Sequence, residues 1–171
     1  MNSPALVVVD AEAGQADSTV VAENIFKMYA RMHPASIGSA VWVINNTVVP
    51  QLMALTVGST GIPVWLPNQS VAGSPFGTIL GRPLFITEKL PCIGCEGDIL
   101  FADFRQYLVG EKSTGIQSAT SIHLYFDYDL TTFRFVYRTD GKTWWRSPLT
   151  PKSGCDTMSP FVTLANRGCS S

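Results

Sequence analysis

Charge is what this sequence has least of. Asp, Glu, Lys and Arg make up 15% of its 171 residues, while hydrophobic residues make up 46%; soluble proteins average about 25% charge. So few charges cannot cover a domain of this size generously, and the balance predicts apolar surface that other chains hide. The net charge is −1, and the 12 basic residues are spread from Lys27 to Arg167 with no run among them. Sequence-specific nucleic-acid binding is therefore not expected, because neutralising phosphates takes a dense basic patch. No uncharged apolar stretch approaches the roughly 18 residues of a membrane helix. No basic segment precedes the first apolar run either, so neither a membrane partner nor a secretory signal is expected, and an intracellular origin is the default.

Residues that carry chemistry are equally sparse. The chain has two histidines, His33 and His123. His33 falls at the end of an expected helix, where a cation suits the dipole. His123 precedes Asp127 and Asp129, but no G-x-S-x-G elbow supplies a nucleophile. Asp127-Tyr128-Asp129 has too few oxygen ligands for a calcium loop. Phosphate-binding loops of the G-x-G-x-x-G or P-loop type are missing. Of the four cysteines, Cys92 and Cys95 have the spacing of half a zinc site, yet Cys155 and Cys169 do not form the other half. In a reducing cytosol all four are expected as free thiols. The expectation is a chain that is not an enzyme, with no catalytic residue, metal, cofactor or small-molecule substrate.

What is present is ordered alternation. Ala5 to Val9 reads as a strand. Asp17 or Ser18 is placed to cap a helix carrying Val21, Ile25, Met28 and Met32 at helical spacing, with Glu23 and Lys27 at i,i+4; Pro34 ends it. Ala40 to Ile44 reads as a strand buried on both faces. Asn46 or Thr47 then caps a short helix from about Val48 to Leu55, with Pro50 in its first turn. Ile62 to Leu66, interrupted by Pro63, reads as an edge strand. Thr78 to Thr87 reads as one strand bent at Gly81, and Tyr107 to Val109 as a strand reaching a turn at Gly110-Glu111-Lys112. Thr131 to Arg138 alternates with period two. Asp140-Gly141 reads as a hairpin turn, with Lys142 to Trp145 returning and Ser159 to Leu164 as the last strand.

Trp144 and Trp145 are adjacent, so on a strand they face opposite ways, one into a core and one toward a partner. Sugar binding is the alternative for such a pair. Packing between subunits suits a chain so poor in charge, since Trp is enriched at interface hot spots. Trp65, Trp144 and Trp145 are therefore the candidate subunit-interface residues.

Several segments in order carry a resemblance. They are the helix Val20 to Met32, the run Ser39-Ala40-Val41-Trp42-Val43-Ile44-Asn45, and Pro50-Gln51-Leu52. Leu80-Gly81-Arg82-Pro83-Leu84 follows with Thr87-Glu88, then Gly97-Asp98-Ile99 with Ala102-Asp103-Phe104 and Tyr107-Leu108. Phe133-Arg134-Phe135, Tyr137-Arg138, Asp140-Gly141 and Ser159-Pro160-Phe161-Val162 close the series. Together they resemble tailed-phage major capsid proteins from about Asn2 to Leu164. The resemblance implies an α+β fold of that capsid type: a mixed sheet flanked by two helices, plus a long β-hairpin region. It implies truncation at the N-terminus, because no arm, loop hairpin or spine helix fits before Ala5. The implied division is 1–18 as opening strand and connector, 19–110 as an axial-lobe-like α/β core, and 111–171 as a β-rich segment closing the peripheral lobe.

The function implied is that of a structural protein of a phage or prophage capsid shell, a major capsid protein or fragment, self-assembling into capsomers. The alternative is a truncated relative that binds full-length capsid subunits and modulates or blocks assembly. Partners would be its own copies or other capsid subunits, in pentamers and hexamers. Its location would be the virion capsid, and the host cytoplasm before assembly. Without a spine helix, an exposed apolar face is expected around Phe133 to Tyr137. The loop lysine of self-cross-linking relatives is also missing, so no such chemistry is assigned.

Overall fold

The computed structural model describes residues 3–58, 61–66, 77–112, 115–154 and 156–169. Two compact units emerge, one from 1–106 with 145–171 and one from 107–144. In chain order the first carries β1 (Val7–Val9), α1 (Ala22–Ala30), β2 (Val41–Asn45), α2 (Val49–Ala54), β3 (Thr56–Val57), β4 (Ile62–Pro63), β5 (Trp65–Leu66), β6 (Thr78–Ile79), β7 (Arg82–Thr87) and β8 (Ile99–Ala102). The second carries β9 (Tyr107–Glu111), β10 (Gln117–Tyr125), β11 (Leu130–Val136) and β12 (Thr139–Thr143), and the chain then returns to the first for β13 (Phe161–Leu164).

The first unit is built on a seven-stranded mixed sheet in the order β1-β13-β8-β2-β7-β6-β5. β2 takes the centre, parallel to β7 and antiparallel to β8. Its Trp42 and Ile44 are fully buried, whereas Val41 and Val43 on the other face are only half-buried. That is less than the two-sided burial the apolar run suggests. The Trp42 ring stacks on Phe101 at 4.0 Å, and its indole N–H donates to the Ile79 carbonyl at 3.1 Å. A large apolar body and a satisfied polar tip make Trp42 the anchor of this core. α1 lays Ile25 and Met28 onto the same core, with Met32 buried just beyond its end.

α1 starts later than its sequence suggests, whereas α2 lies where it is expected. Ser18 adopts φ 53° and donates its amide to the Arg167 carbonyl, so neither it nor Asp17 caps α1. The Asn24 side chain instead accepts from the Val21 N–H at 3.1 Å, supplying a partner to a helix-start donor from inside the first turn. Before α2, Asn45 accepts from the Thr47 N–H at 2.8 Å and caps a 3₁₀ turn, Asn46–Val48. The bend at Gly81 is a full reversal. Leu80 and Gly81 both take positive φ, 47° and 72°, which is the geometry of a tight two-residue hairpin between β6 and β7.

Cys95 and Cys169 are joined as a disulfide with Cα atoms 4.7 Å apart. This corrects the free-thiol expectation for that pair. The cause is tertiary: the C-terminal segment is held against the 94–98 loop by the Arg167 amide, which donates to the Gly94 carbonyl, and by the Arg167 side chain on Asp98. Cys92 is free and exposed, and Cys155 lies outside the described residues.

In the second unit β9 pairs with β12 and β10 with β11, both antiparallel. Asp140 and Gly141 lie inside β12, opposite Gly110 and Val109, so neither expected turn, at 110–112 or at 140–141, exists. Gly141 serves a different purpose. An added Cβ there would come within 2.6 Å of the Tyr107 ring, so the absent side chain leaves room for the tyrosine to lie across β12. The real reversal is at Phe126–Asp129, where Asp129 adopts φ 54°. The units also cut across the 19–110 and 111–171 division. β9 belongs with the hairpin, and β13 sits in the central sheet between β1 and β8, because its Phe161, Val162 and Leu164 are apolar enough to be buried there.

Candidate assembly surface

The three candidate tryptophans fall in different settings. Trp65 lies in β5 and packs, half-buried, against the main core. Trp145 packs on a smaller cluster of Ala5, Leu100, Ala102 and Phe161. Its indole N–H donates to Gln106 Oε1 at 3.2 Å, and the His33 ring meets it edge-on at 5.1 Å. Trp144 is 65% exposed. Trp144 and Trp145 both lie just beyond the end of β12, so they do not alternate along a strand as their sequence suggests. Within the first unit Trp65 and Trp145 serve separate clusters. His33 opens a 3₁₀ turn rather than closing α1.

Among the described residues no group of three or more His, Cys, Asp or Glu is placed to hold a metal ion. His123, Asp127 and Asp129 all lie exposed on the hairpin. A groove of about 320 Å³ runs between β1 and α1, lined by Val8, Asp10, Lys27, Arg31 and Asp156. Its cations are engaged: Lys27 pairs with Glu12 at 2.7 Å, not with Glu23, and Arg31 with Asp156 at 3.6 Å. Among the described residues no helix is long and apolar enough to cross a membrane.

The second unit offers the larger unsatisfied surface. In the β10–β11 register Phe133 and Phe135 stand opposite Thr120 and Ser118, while Arg134 and Thr132 stand opposite Ala119 and Ser121. Period two thus puts two phenylalanines on one face and the arginine on the other. Phe133 is 63% and Phe135 68% exposed, as expected for the stretch from Phe133 to Tyr137. Toward the tip Ile122, Leu124, Phe126 and Leu130 are exposed as well. β10 is hard to see in the sequence because Ser118, Thr120, Ser121 and His123 give it few apolar residues. The signal that could have found it is the alternation of Ile122 and Leu124 with His123 and Tyr125. On the same unit the Tyr137 hydroxyl donates to Glu111 Oε1 at 2.6 Å, which holds the phenol above its ordinary value by stabilising the protonated form.

A family model, the phage capsid family, matches residues 1–149. The chain belongs to the phage capsid family. Two solved structures share its fold. The capsid of an empty GTA particle superposes with TM-score 0.62 at 16% identity, covering 92% of this chain and 49% of that one. The capsid of a native GTA particle superposes with TM-score 0.63 at 16% identity, covering 92% and 48%. The chain therefore spans about half the length of those capsid proteins. Among curated proteins none matches. The capsid-type α+β fold, with its mixed sheet, two helices and long β-hairpin, is the one the sequence resemblance implied.

Proposed function

We propose that this chain is a structural protein of a phage or prophage capsid shell, working by assembly with its own copies or other capsid subunits into pentamers and hexamers. Its role in this reading is mechanical and not catalytic, with the virion as its destination and the host cytoplasm as its site before assembly. Family membership supports the reading. The observation that carries it is the apolar face of the β10–β11 hairpin, where Phe133 and Phe135 are left to solvent. A two-stranded hairpin is marginal by itself in water, and exposed apolar faces of this kind mark contacts with other chains. Trp144, exposed in the same unit, is assigned to subunit contacts on the same reasoning; Trp65 and Trp145, half-buried against the first unit's own clusters, are assigned there only because Trp is enriched at interface hot spots.

Sedimentation velocity and electron microscopy of the purified chain test the proposal, alone and mixed with capsid subunits of the full family length. Discrete oligomers or incorporation into shells is the expected result. Shells that become aberrant or stop growing in the mixture would indicate a modulator of assembly instead. A monomer that neither oligomerises nor enters shells overturns the proposal.

A further inference from the structure

We propose that Cys92, Cys95 and Cys169 form a thiol–disulfide exchange site, in which Cys92 displaces Cys169 from Cys95 and so releases the covalent tether of the C-terminal segment. The inference is independent of the capsid role. It rests on three cysteines brought to one place: a disulfide between Cys95 and Cys169, and a free, exposed Cys92 three positions before Cys95.

The loop geometry favours attack at Cys95. The Cys95 N–H donates to the Cys92 carbonyl at 3.1 Å, closing a four-residue turn, with Gly94 at φ 89°. Positive φ at the third position suits a type II turn, whose end Cα atoms lie within about 7 Å. Disulfides span Cα separations of about 4.4–6.8 Å, so the two ends of this turn are within or close to bridging range. The turn is also held in shape from outside. Its Gly94 N–H donates to Asp98 Oδ2 at 3.0 Å, and its Gly94 carbonyl accepts from the Arg167 N–H at 2.6 Å. A side chain at 94 is barred, since an added Cβ would meet Ser18 Oγ at 2.7 Å.

The step balances without an outside oxidant or reductant. Cys92 gives its proton to solvent, and its thiolate attacks Cys95 Sγ. The Cys92–Cys95 bond forms as the Cys95–Cys169 bond breaks, and Cys169 leaves as a thiolate that takes up a proton. One disulfide and one thiol exist before and after. What changes is the position of the thiol, from an exposed loop to the C-terminal segment. The buried Arg167–Asp98 pair stays in place, so the release is local to the residues beyond Arg167.

The test uses the oxidised full chain with Cys155→Ser as background. Free thiols are alkylated with time at two pH values and mapped by mass spectrometry without reduction. Because the thiolate is the attacking form, exchange should quicken as pH rises. The expected result is label that appears on Cys169 together with an unlabelled Cys92–Cys95 peptide, more at the higher pH. With Cys92→Ser, label on Cys169 should fall roughly tenfold or more, since the attacking thiol is gone. Cys169→Ser provides a second arm that keeps both loop cysteines: under oxidised glutathione it should form the Cys92–Cys95 bond. Label confined to Cys92 at both pH values overturns the proposal. So does label on Cys169 that survives Cys92→Ser, or a Cys169→Ser chain that forms no Cys92–Cys95 bond.

Discussion

Asp98 and Arg167 meet with both side chains out of solvent. Arg167 also donates to the Thr19 carbonyl at 2.8 Å and the Ala165 carbonyl at 3.0 Å, so one guanidinium ties three chain segments. Removing one partner leaves the other charge buried and alone. Asp98→Ala should therefore cost about 3–5 kcal/mol, read by urea unfolding. The pH dependence has a definite sign. Burial raises the Asp98 carboxyl above its ordinary value of 3.8, and the opposing pull of Arg167 and the Gly94 N–H does not cancel it. An acid raised in the folded state contributes stability that is full below its unfolded value and lost as pH rises through the folded one. Relative to Asp98→Asn, the parent chain should thus lose ground as pH rises from below 3.8. An advantage of the parent that grows with pH would show the ion pair dominating instead. None of this was legible in the sequence. Asp98 was visible only as part of a Gly-Asp motif, and its partner lies 69 residues away.

Elements were legible in proportion to how far burial governs them. β2 and β13 are nearly continuous apolar runs placed inside a sheet, and hydrophobicity alone predicts them. α1 was found from its buried stripe, although its ends were set by what Ser18 and Asn24 bond to. The hairpin unit was hard to read because packing there does not sort its residues into inside and outside. Asp140-Gly141 illustrates the failure: a turn dipeptide by its chemistry, it serves as space for a neighbouring ring. That makes a test. Gly141→Ala should cost about 1–3 kcal/mol by overpacking against Tyr107, read by thermal unfolding of the hairpin signal. Combining it with Tyr107→Ala should recover much of that cost, since the two residues share one contact and couple. The β6–β7 turn gives the opposite sign. Leu80 holds φ 47°, where a left-handed conformation costs a residue with a Cβ about 1–2 kcal/mol. Leu80→Asn should raise stability by up to about 1 kcal/mol, because Asn tolerates that conformation.

At the scale of the whole molecule, sparse charge is matched by a dry centre in one unit and a wet apolar face in the other. Trp42, Phe101 and Ile25 are sealed in the first. Phe133 and Phe135 are left out in the second, where Arg134 lies on the opposite face of the same ribbon. If the phenylalanine face is where subunits meet, its removal should change association without touching the sealed core. Each buried phenylalanine contributes about 1.5–3 kcal/mol of transfer free energy, and about 1.4 kcal/mol is a factor of ten in affinity. Phe133→Ser with Phe135→Ser should therefore weaken self-association by roughly a hundredfold to ten-thousandfold, measured by sedimentation velocity over a concentration series. The near-ultraviolet circular dichroism of the Trp42–Phe101 stack should stay as it is. Arg134→Ser, on the other face, should leave association within a few fold of the parent, since a solvated charge adds only about 0–1 kcal/mol. Equal effects from the two faces, or loss of the Trp42 signal in the phenylalanine variant, would argue that the hairpin supports the fold and not the contact between chains.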